Sequence, residues 1–204
     1  MKIGLVAHCN FRGNSAMHVF SLAVELQKLG HKCCILVPDS PETVHDHGKP
    51  SFDVIDYASA SINGLPFRDG SRPDILHAWS PREHVRKITQ TLAKEFDCPY
   101  AVHMEDNEEQ IVQDELSGLD YSEVRLFPDG LVDGLISPYR SHPGRYRDFI
   151  ARADGFSCLI DRLMEFKPQN VPGVVFWPGF DAPFADISDS DRMAGRTRFG
   201  LTPT

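Results

Sequence analysis

The stretch from Lys2 to Val37 constrains the fold of this chain more than any other part of the sequence. Residues 2–7 form a short, nearly all-apolar run, as expected of a strand that is buried on both faces of a parallel sheet. Apolar residues then recur at helical spacing from Val19 to Leu29, and Gly30 fits the end of that helix because glycine adopts a left-handed backbone easily. A second apolar run, Cys33 to Val37, completes a βαβ unit, and we predict a right-handed crossover.

The rest of the chain continues the alternation of short apolar runs with helical patterns. Further strands are predicted at residues 53–57, 73–79, 99–104, 156–160 and 174–177. The clearest helical stripe lies between Val85 and Phe96. Such an alternation predicts an α/β fold, namely a doubly wound parallel sheet with helices on both faces and the run from Ile3 to Ala7 inside the sheet.

Local signals indicate how these elements begin and end. Ser80, Pro81 and Glu83 have the spacing of a capping box in front of the helix that follows them. Either Asp106 or Asn107 can cap the next helix. Loops are expected at residues 38–50 and 58–72, and beyond residue 179 the chain turns polar and loses its periodicity.

Composition excludes some classes of partner. The 204 residues suffice for one generous domain, and the net charge of −8 argues against nucleic acid, whose binding depends on neutralising phosphates. It argues less firmly against membrane contact, because a local basic patch can exist on an acidic domain. No apolar run reaches the roughly 20 residues that span a bilayer. Five scattered cysteines suit reduced thiols, so we expect a cytoplasmic protein, with a peripheral position at the inner membrane face left open.

The loop after the first strand lies at the carboxyl edge of the sheet, where open α/β folds bind ligands. The helix that follows directs its N–H groups to this edge, which favours an anion or a hydroxyl. A dinucleotide fingerprint needs three glycines here, and the segment from His8 to Ser15 contains only Gly13. The hypothesis that the chain is a Rossmann oxidoreductase therefore loses its main support.

An acidic cluster, residues 105–109, begins where another strand meets a helix. Acids at a helix N-terminus can simply stabilise the helix dipole, and we favour this interpretation for Glu108 and Glu109. Glu105 and Asp106 come first and are expected to reach into the crevice, where a carboxylate could bind sugar hydroxyls or accept a proton.

Other polar and aromatic residues have competing interpretations. His77 is either a packing histidine or a crevice residue, and Trp79 at the same strand end could stack on a sugar ring. The pair His45 and His47 lacks a third ligand, which argues against a metal site. Cys9 has no local activating group, so we interpret it as a small buried residue.

Several segments together resemble the N-terminal half of retaining glycosyltransferases of the GT-B fold, family 4. The family's usual order and spacing are matched over the whole chain by residues 1–6, 13–15, 26–32, 73–78, 99–106, 153–158, 177–181 with Phe184, and 199–201. Two positions differ from the family pattern. The paired glycine becomes Gly13-Asn14, which leaves less bare backbone for a donor diphosphate, and the histidine before the aspartate becomes Glu105. His103 lies one rung deeper on the same face and is a weak substitute.

The resemblance implies a Rossmann-like acceptor-binding domain at residues 1–184 and the start of an interdomain linker at residues 185–204. The second domain, which in this family holds most of the nucleotide-sugar through an E-x7-E pair and a basic pair, would be absent from this chain. The implied partners are that domain, a nucleotide-sugar as co-substrate, and a glycan, lipid or small-molecule acceptor. No metal or other cofactor is implied, and the chain alone is expected to be inactive.

The predicted site follows from these interpretations. Glu105 and Asp106 are the candidate catalytic residues, and the candidate substrate-binding residues are Gly13, Asn14, Ser15, His77, Trp79 and His103. The predicted function is that of a hexosyltransferase-type enzyme when the second domain is joined. The competing interpretation is a stand-alone sugar- or nucleotide-binding module without catalysis.

Overall fold

A computed structural model describes residues 1–63, 67, 71–177 and 187–201. Parts of the predicted loop at residues 58–72 lie outside this described part, at residues 64–66 and 68–70. The motif from Pro178 to Phe184 and the predicted domain boundary after residue 184 also lie outside it.

The described residues contain a sheet of seven parallel strands. These are β1 (Lys2–Val6), β2 (Lys32–Val37), β3 (Asp53–Asp56), β4 (Ile75–Trp79), β5 (Tyr100–Met104), β6 (Gly155–Cys158) and β7 (Gly173–Val175). Their order is β3-β2-β1-β4-β5-β6-β7, with every neighbouring pair parallel. The predicted parallel sheet is confirmed, with β1 inside it. The order reverses between β1 and β4, and such a switch point opens a crevice at the carboxyl ends of the strands.

Helices connect the strands and cover both faces of the sheet. They are α1 (Asn14–Lys28), α2 (Tyr57–Asn63), α3 (Glu83–Phe96), α4 (Glu108–Glu115), α5 (Tyr121–Val124), α6 (Asp129–Leu135), α7 (Tyr146–Ala151) and α8 (Asp189–Arg198). Two 3₁₀ helices lie at Pro41–His47 and Asp161–Phe166. Gly30 adopts φ +85° just after α1, as predicted for a helix stop. No helix in the described ranges is both long enough and apolar enough to cross a bilayer.

The two faces of the sheet belong to separate hydrophobic cores, because successive side chains of a strand point in opposite directions. Cys33 packs in the core that contains Val19 of α1, while Cys34 packs in the core that contains Val85 of α3. A third, smaller cluster joins α4, α5 and α6 around Val124. The fold is therefore doubly wound.

Two local predictions are wrong. The capping box fails because the buried carboxylate of Glu83 binds Arg86 at 2.6 Å and Arg145 at 3.0 Å. The backbone N–H of Glu83 instead donates to the carbonyl of Arg140 at 2.9 Å, so tertiary contacts satisfy the start of α3. The expected loop at residues 58–72 contains most of α2. Beyond residue 179, where the sequence is polar and without periodicity, α8 forms a helix without a buried residue.

Candidate functional site

Three segments meet at the carboxyl edge of the sheet. Strand β4 pairs with β1 on one side and with β5 on the other. The residues that follow these strands therefore lie side by side at the switch point: His8 after β1, Ser80 to Arg82 after β4, and Glu105 to Glu108 after β5. These segments form the candidate site, which we call the polar edge.

His8 and Glu105 face each other in the polar edge. Nδ1 of His8 lies 4.0 Å from Oε2 of Glu105, and the two side chains are 10% and 8% exposed. Burial, and then the charge of Arg82, lower the pKa of His8 to about 3, so the imidazole is neutral near pH 7. The nearby backbone of Trp79 acts in the opposite direction and raises this pKa, while Nδ1 has no partner among the described residues.

The tautomer of His8 decides what this pair can bind. A neutral imidazole has one N–H and one lone pair, and with the proton assigned to Nε2 the unpartnered Nδ1 carries the lone pair. The Glu105 carboxylate also accepts only. Two acceptors 4.0 Å apart cannot bond each other, so they complement a group that donates, such as a hydroxyl.

A buried ion pair supports the polar edge from below. Nε of Arg82 donates to both carboxylate oxygens of Glu108, at 3.2 and 3.3 Å, and the Ser141 hydroxyl donates to Oε2 at 2.9 Å. The Glu108 side chain is 1% exposed and that of Arg82 is 12% exposed. Burial raises the pKa of Glu108, and Arg82 and Ser141 oppose this shift. The predicted structural role of Glu108 thus takes the form of an ion pair.

The other acids of the cluster have distinct environments. Asp106 is 55% exposed and lies 3.8 Å from Nη2 of Arg82. Asn107 is the N-cap of α4, since its side chain accepts from the backbone N–H of Gln110 at 3.2 Å, so Asp106 is not the cap. Glu109 binds Arg147 at 2.8 Å. Glu105 and Asp106 are thus the acids of the cluster that reach the polar edge.

The start of α1 carries the other predicted binding residues. Gly13 is its N-cap, and the first turn contains neither an acidic residue nor a side-chain cap. Asn14 is exposed and Ser15 is partly exposed. A side chain at Gly13 would place Cβ 2.6 Å from Sγ of Cys9, so packing against Cys9 requires the glycine.

Trp79, His77 and His103 lie on one face of the sheet, beneath the polar edge. Ser157 Oγ lies 3.1 Å from Nε2 of His77 and 2.9 Å from Nδ1 of His103. Trp79 is 1% exposed and His103 is 0% exposed, and their ring centroids lie 4.0 Å apart. Phe176 lies 4.8 Å from His103 on the same face. In this arrangement neither buried ring presents a face to a sugar.

Burial lowers the pKa of these histidines. The pKa of His77 falls to about 4 and that of His103 to about 2, with the neighbouring His77 contributing to the second shift. Both rings are therefore neutral near pH 7. Nε2 of His103 and Nε1 of Trp79 have no hydrogen-bond partner among the described residues.

Neither of the loop histidines lies at the polar edge. Nε2 of His47 lies 2.6 Å from the carbonyl oxygen of Phe11, and His45 is exposed. Among the described residues, no group of three or more His, Cys, Asp and Glu side chains could hold a metal ion.

Sequence reasoning missed His8 and Arg82. The signal was present for His8, which directly follows a predicted strand as Glu105 does. Arg82 lies three residues beyond a predicted strand, inside the pattern that predicts a capping box from Ser80 to Glu83.

The fold and the polar edge define a Rossmann-like α/β domain with a crevice at its switch point. Neither protein-family models nor curated proteins match this chain. Solved structures match its fold. HepE from Anabaena, in complex with UDP-glucose, aligns with 98% of this chain and 50% of its own, at a TM-score of 0.60 and 11% identity.

Two further structures, both in complex with UDP, extend this similarity. UGT89C1 from Arabidopsis thaliana aligns with 99% of this chain and 55% of its own, at a TM-score of 0.53 and 8% identity. LpCGTa aligns with 91% of this chain and 56% of its own, at a TM-score of 0.50 and 16% identity. The chain thus spans about half the length of each. These matches show that its fold is the Rossmann-like α/β fold that the three structures contain.

Proposed function

We propose that this chain is the acceptor-side half of a GT-B glycosyltransferase that moves a sugar from a nucleotide-sugar to an acceptor hydroxyl at the polar edge. The observation that carries the proposal is the extent of the fold match. Almost the whole chain, 98%, aligns with half of HepE, and that protein is in complex with UDP-glucose. We further propose that residues 1–184 are one domain and that a second domain holds most of the nucleotide-sugar.

The facing side chains of His8 and Glu105 support a role in the chemistry. The acceptor hydroxyl would lie between Oε2 of Glu105 and Nδ1 of His8, which has no hydrogen-bond partner among the described residues. As the acceptor oxygen bonds to the anomeric carbon, its proton moves to His8, and the bond from that carbon to the phosphate oxygen breaks. The nucleoside diphosphate leaves with the electron pair. Glu105 orients the hydroxyl, and its charge would have to offset the burial and the Arg82 charge that hold the pKa of His8 at about 3, so that the imidazolium can form.

A separate question is whether the transfer retains or inverts the configuration at the anomeric carbon. The resemblance to family 4 implies retention of the anomeric configuration. A base on the acceptor, such as His8, suits a single displacement, which inverts it. The anomeric configuration of the product, measured by proton NMR, distinguishes the two courses.

The remaining predicted residues receive roles that fit their positions. Gly13, Asn14 and Ser15 at the uncapped start of α1 would bind donor phosphates through backbone N–H groups. Asp106 would bind acceptor hydroxyls from the rim. His77, Trp79 and His103 would support the polar edge from beneath. The nearby backbone of Trp79 also acts to raise the pKa of His8.

The test uses the protein with its reading frame extended beyond Thr204. We expect a second Rossmann-like half with an E-x7-E pair, and transfer from a nucleotide-sugar to an acceptor. His8→Ala and Glu105→Gln should lower kcat by about 10²-fold or more with little change in Tm, since a general base contributes typically 10²–10⁴-fold. The matched control is His45→Ala, at an exposed loop position.

Three outcomes would contradict the proposal. A reading frame without a second half would support the stand-alone binding module. Equal losses of kcat in His8→Ala and His45→Ala would exclude His8 as the general base. Robust transfer by the 204-residue chain alone would show that no second domain is needed, because transfer requires both substrates to be held in line.

A further inference from the structure

A second polar pocket lies between α4, α5 and the start of α7, outside the polar edge. Its volume is about 440 Å³, and its walls include Glu109, Tyr121, Arg125, Leu126 and Arg147. This volume lies in the range of small-molecule sites, roughly 300–1,000 Å³. None of these side chains has a role in the proposed transfer.

Arg147 is held rigidly in the wall of the pocket. Its Nε and Nη2 both donate to Oε1 of Glu109, at 3.0 and 2.8 Å. Its guanidinium carbon lies 4.5 Å from the centre of the Phe166 ring. Nη1 makes no hydrogen bond to any residue in the described part of the chain, so two N–H donors are already oriented for a ligand. A donor fixed in this way loses little conformational entropy on binding.

The carboxylate of Glu109 is already satisfied by its neighbours. Besides Arg147, the Tyr146 hydroxyl donates to the same oxygen. Burial, and then this bond, raise the pKa of Tyr146 far above its usual range, and burial with the nearby Glu109 charge raises the pKa of Tyr121 to about 12. Both phenols therefore keep their protons at neutral pH, and donors dominate this wall.

Arg125 adds an uncompensated positive charge. It is exposed at the C-cap of α5 and forms no ion pair with a carboxylate of the described residues. Two guanidinium groups thus face the one carboxylate of Glu109, on a chain whose net charge is −8. Leu126, 77% exposed, extends the rim with an apolar surface.

We propose that this pocket binds the anionic group of a small molecule, a carboxylate or a phosphate, between Arg125 and Nη1 of Arg147. Charge-assisted hydrogen bonds from two guanidinium groups match the planar or tetrahedral oxygens of such a group. Leu126 would contact an apolar part of the same ligand. The proposal does not depend on the proposed transfer reaction.

The test is an NMR titration of the 204-residue chain with inorganic phosphate and, separately, with acetate. We expect saturable shifts of the Tyr121 and Gly144 amide signals, with a Kd of about 1–10 mM for a bare ion. Arg125→Gln should weaken binding about tenfold or more. Arg162→Gln is the matched control, because that arginine is 82% exposed and pairs with Glu165 at 3.5 Å.

The outcomes separate this proposal from the proposed function. Saturation by phosphate or by acetate that requires Arg125 supports the pocket and identifies which anion it prefers. Absence of saturable shifts for both ions up to about 50 mM overturns it, as do equal losses in Arg125→Gln and Arg162→Gln. Shifts at Gly13 in place of Gly144 also overturn it, because the ion then binds at the start of α1. Arg147→Lys, which keeps the charge and loses the planar fork, provides a second variant.

Discussion

Removal of Arg82 should destabilise the protein strongly, because it leaves the buried Glu108 carboxylate without its hydrogen-bonded counter-charge. That carboxylate is 1% exposed, and without Arg82 it would keep the Ser141 hydroxyl at 2.9 Å and the charge of Arg140, which forms no hydrogen bond with it among the described residues. Breaking a buried pair by removing one partner costs about 3–5 kcal/mol. We therefore expect Arg82→Met to lower the free energy of unfolding at pH 7 by about that amount.

A double variant separates the pair from ordinary loss of packing. Arg82→Met combined with Glu108→Gln removes both charges, and replacing a buried pair by neutral residues is often close to neutral in stability. We expect this variant to recover at least about 2 kcal/mol of the loss, measured as the coupling energy of a double-mutant cycle. The assay is urea unfolding followed by circular dichroism, with linear extrapolation to water.

The pH dependence provides a further check. Burial already raises the pKa of Glu108 in the native protein, and loss of Arg82 removes a lowering influence, so that pKa rises further. The variant's folded state then takes up a proton more readily than its unfolded state, and the penalty of Arg82→Met shrinks as pH falls through this raised pKa. A penalty that is constant between pH 8 and pH 5 would contradict the assignment.

An exposed pair serves as the matched control for this experiment. Arg152 pairs with Asp148 at 2.9 Å, with the two side chains 70% and 58% exposed. Water screens such a pair, so Arg152→Met should change stability by at most about 1 kcal/mol. Equal effects of Arg82→Met and Arg152→Met would refute the reasoning that burial decides the cost.

Three further predictions concern single residues near the polar edge. Asn107→Ala removes a cap at 3.2 Å and should lower the unfolding free energy by about 1 kcal/mol in urea; an unchanged midpoint would contradict this. Gly13→Ala brings Cβ within 2.6 Å of Cys9 Sγ and should lower Tm, with recovery when Cys9→Ala is added; no recovery would reject the packing reason. His103, with a folded pKa of about 2 against 6.5 unfolded, should lower the unfolding free energy by about 2 kcal/mol between pH 7 and pH 5, since only the unfolded chain takes up the proton. His8 and His77 add to the same dependence, so His103→Gln should reduce it by about 2 kcal/mol without abolishing it, and exposed His45→Gln should leave it unchanged; an equal dependence in the two variants would contradict this.

The sequence alone determined the architecture of this protein. Strands buried on both faces must be apolar almost throughout, and helices on a sheet must repeat their apolar residues at helical spacing. Both patterns are local, so they can be recognised directly in the sequence. The βαβ unit, the parallel sheet and the buried stripe from Val85 to Phe96 followed directly. The edge of the sheet that carries Glu105 followed too, because chain direction in a parallel sheet decides where strand ends meet.

Only the tertiary structure decided which polar groups face each other. The pairing of His8 with Glu105 depends on strand order, since β1 and β5 both flank β4 and so end within side-chain reach of each other. The same holds for Glu83, whose spacing predicts a cap but whose carboxylate binds Arg145 far along the chain. A local pattern reports what a side chain could satisfy nearby, while burial and distant charges determine which bond is more stable.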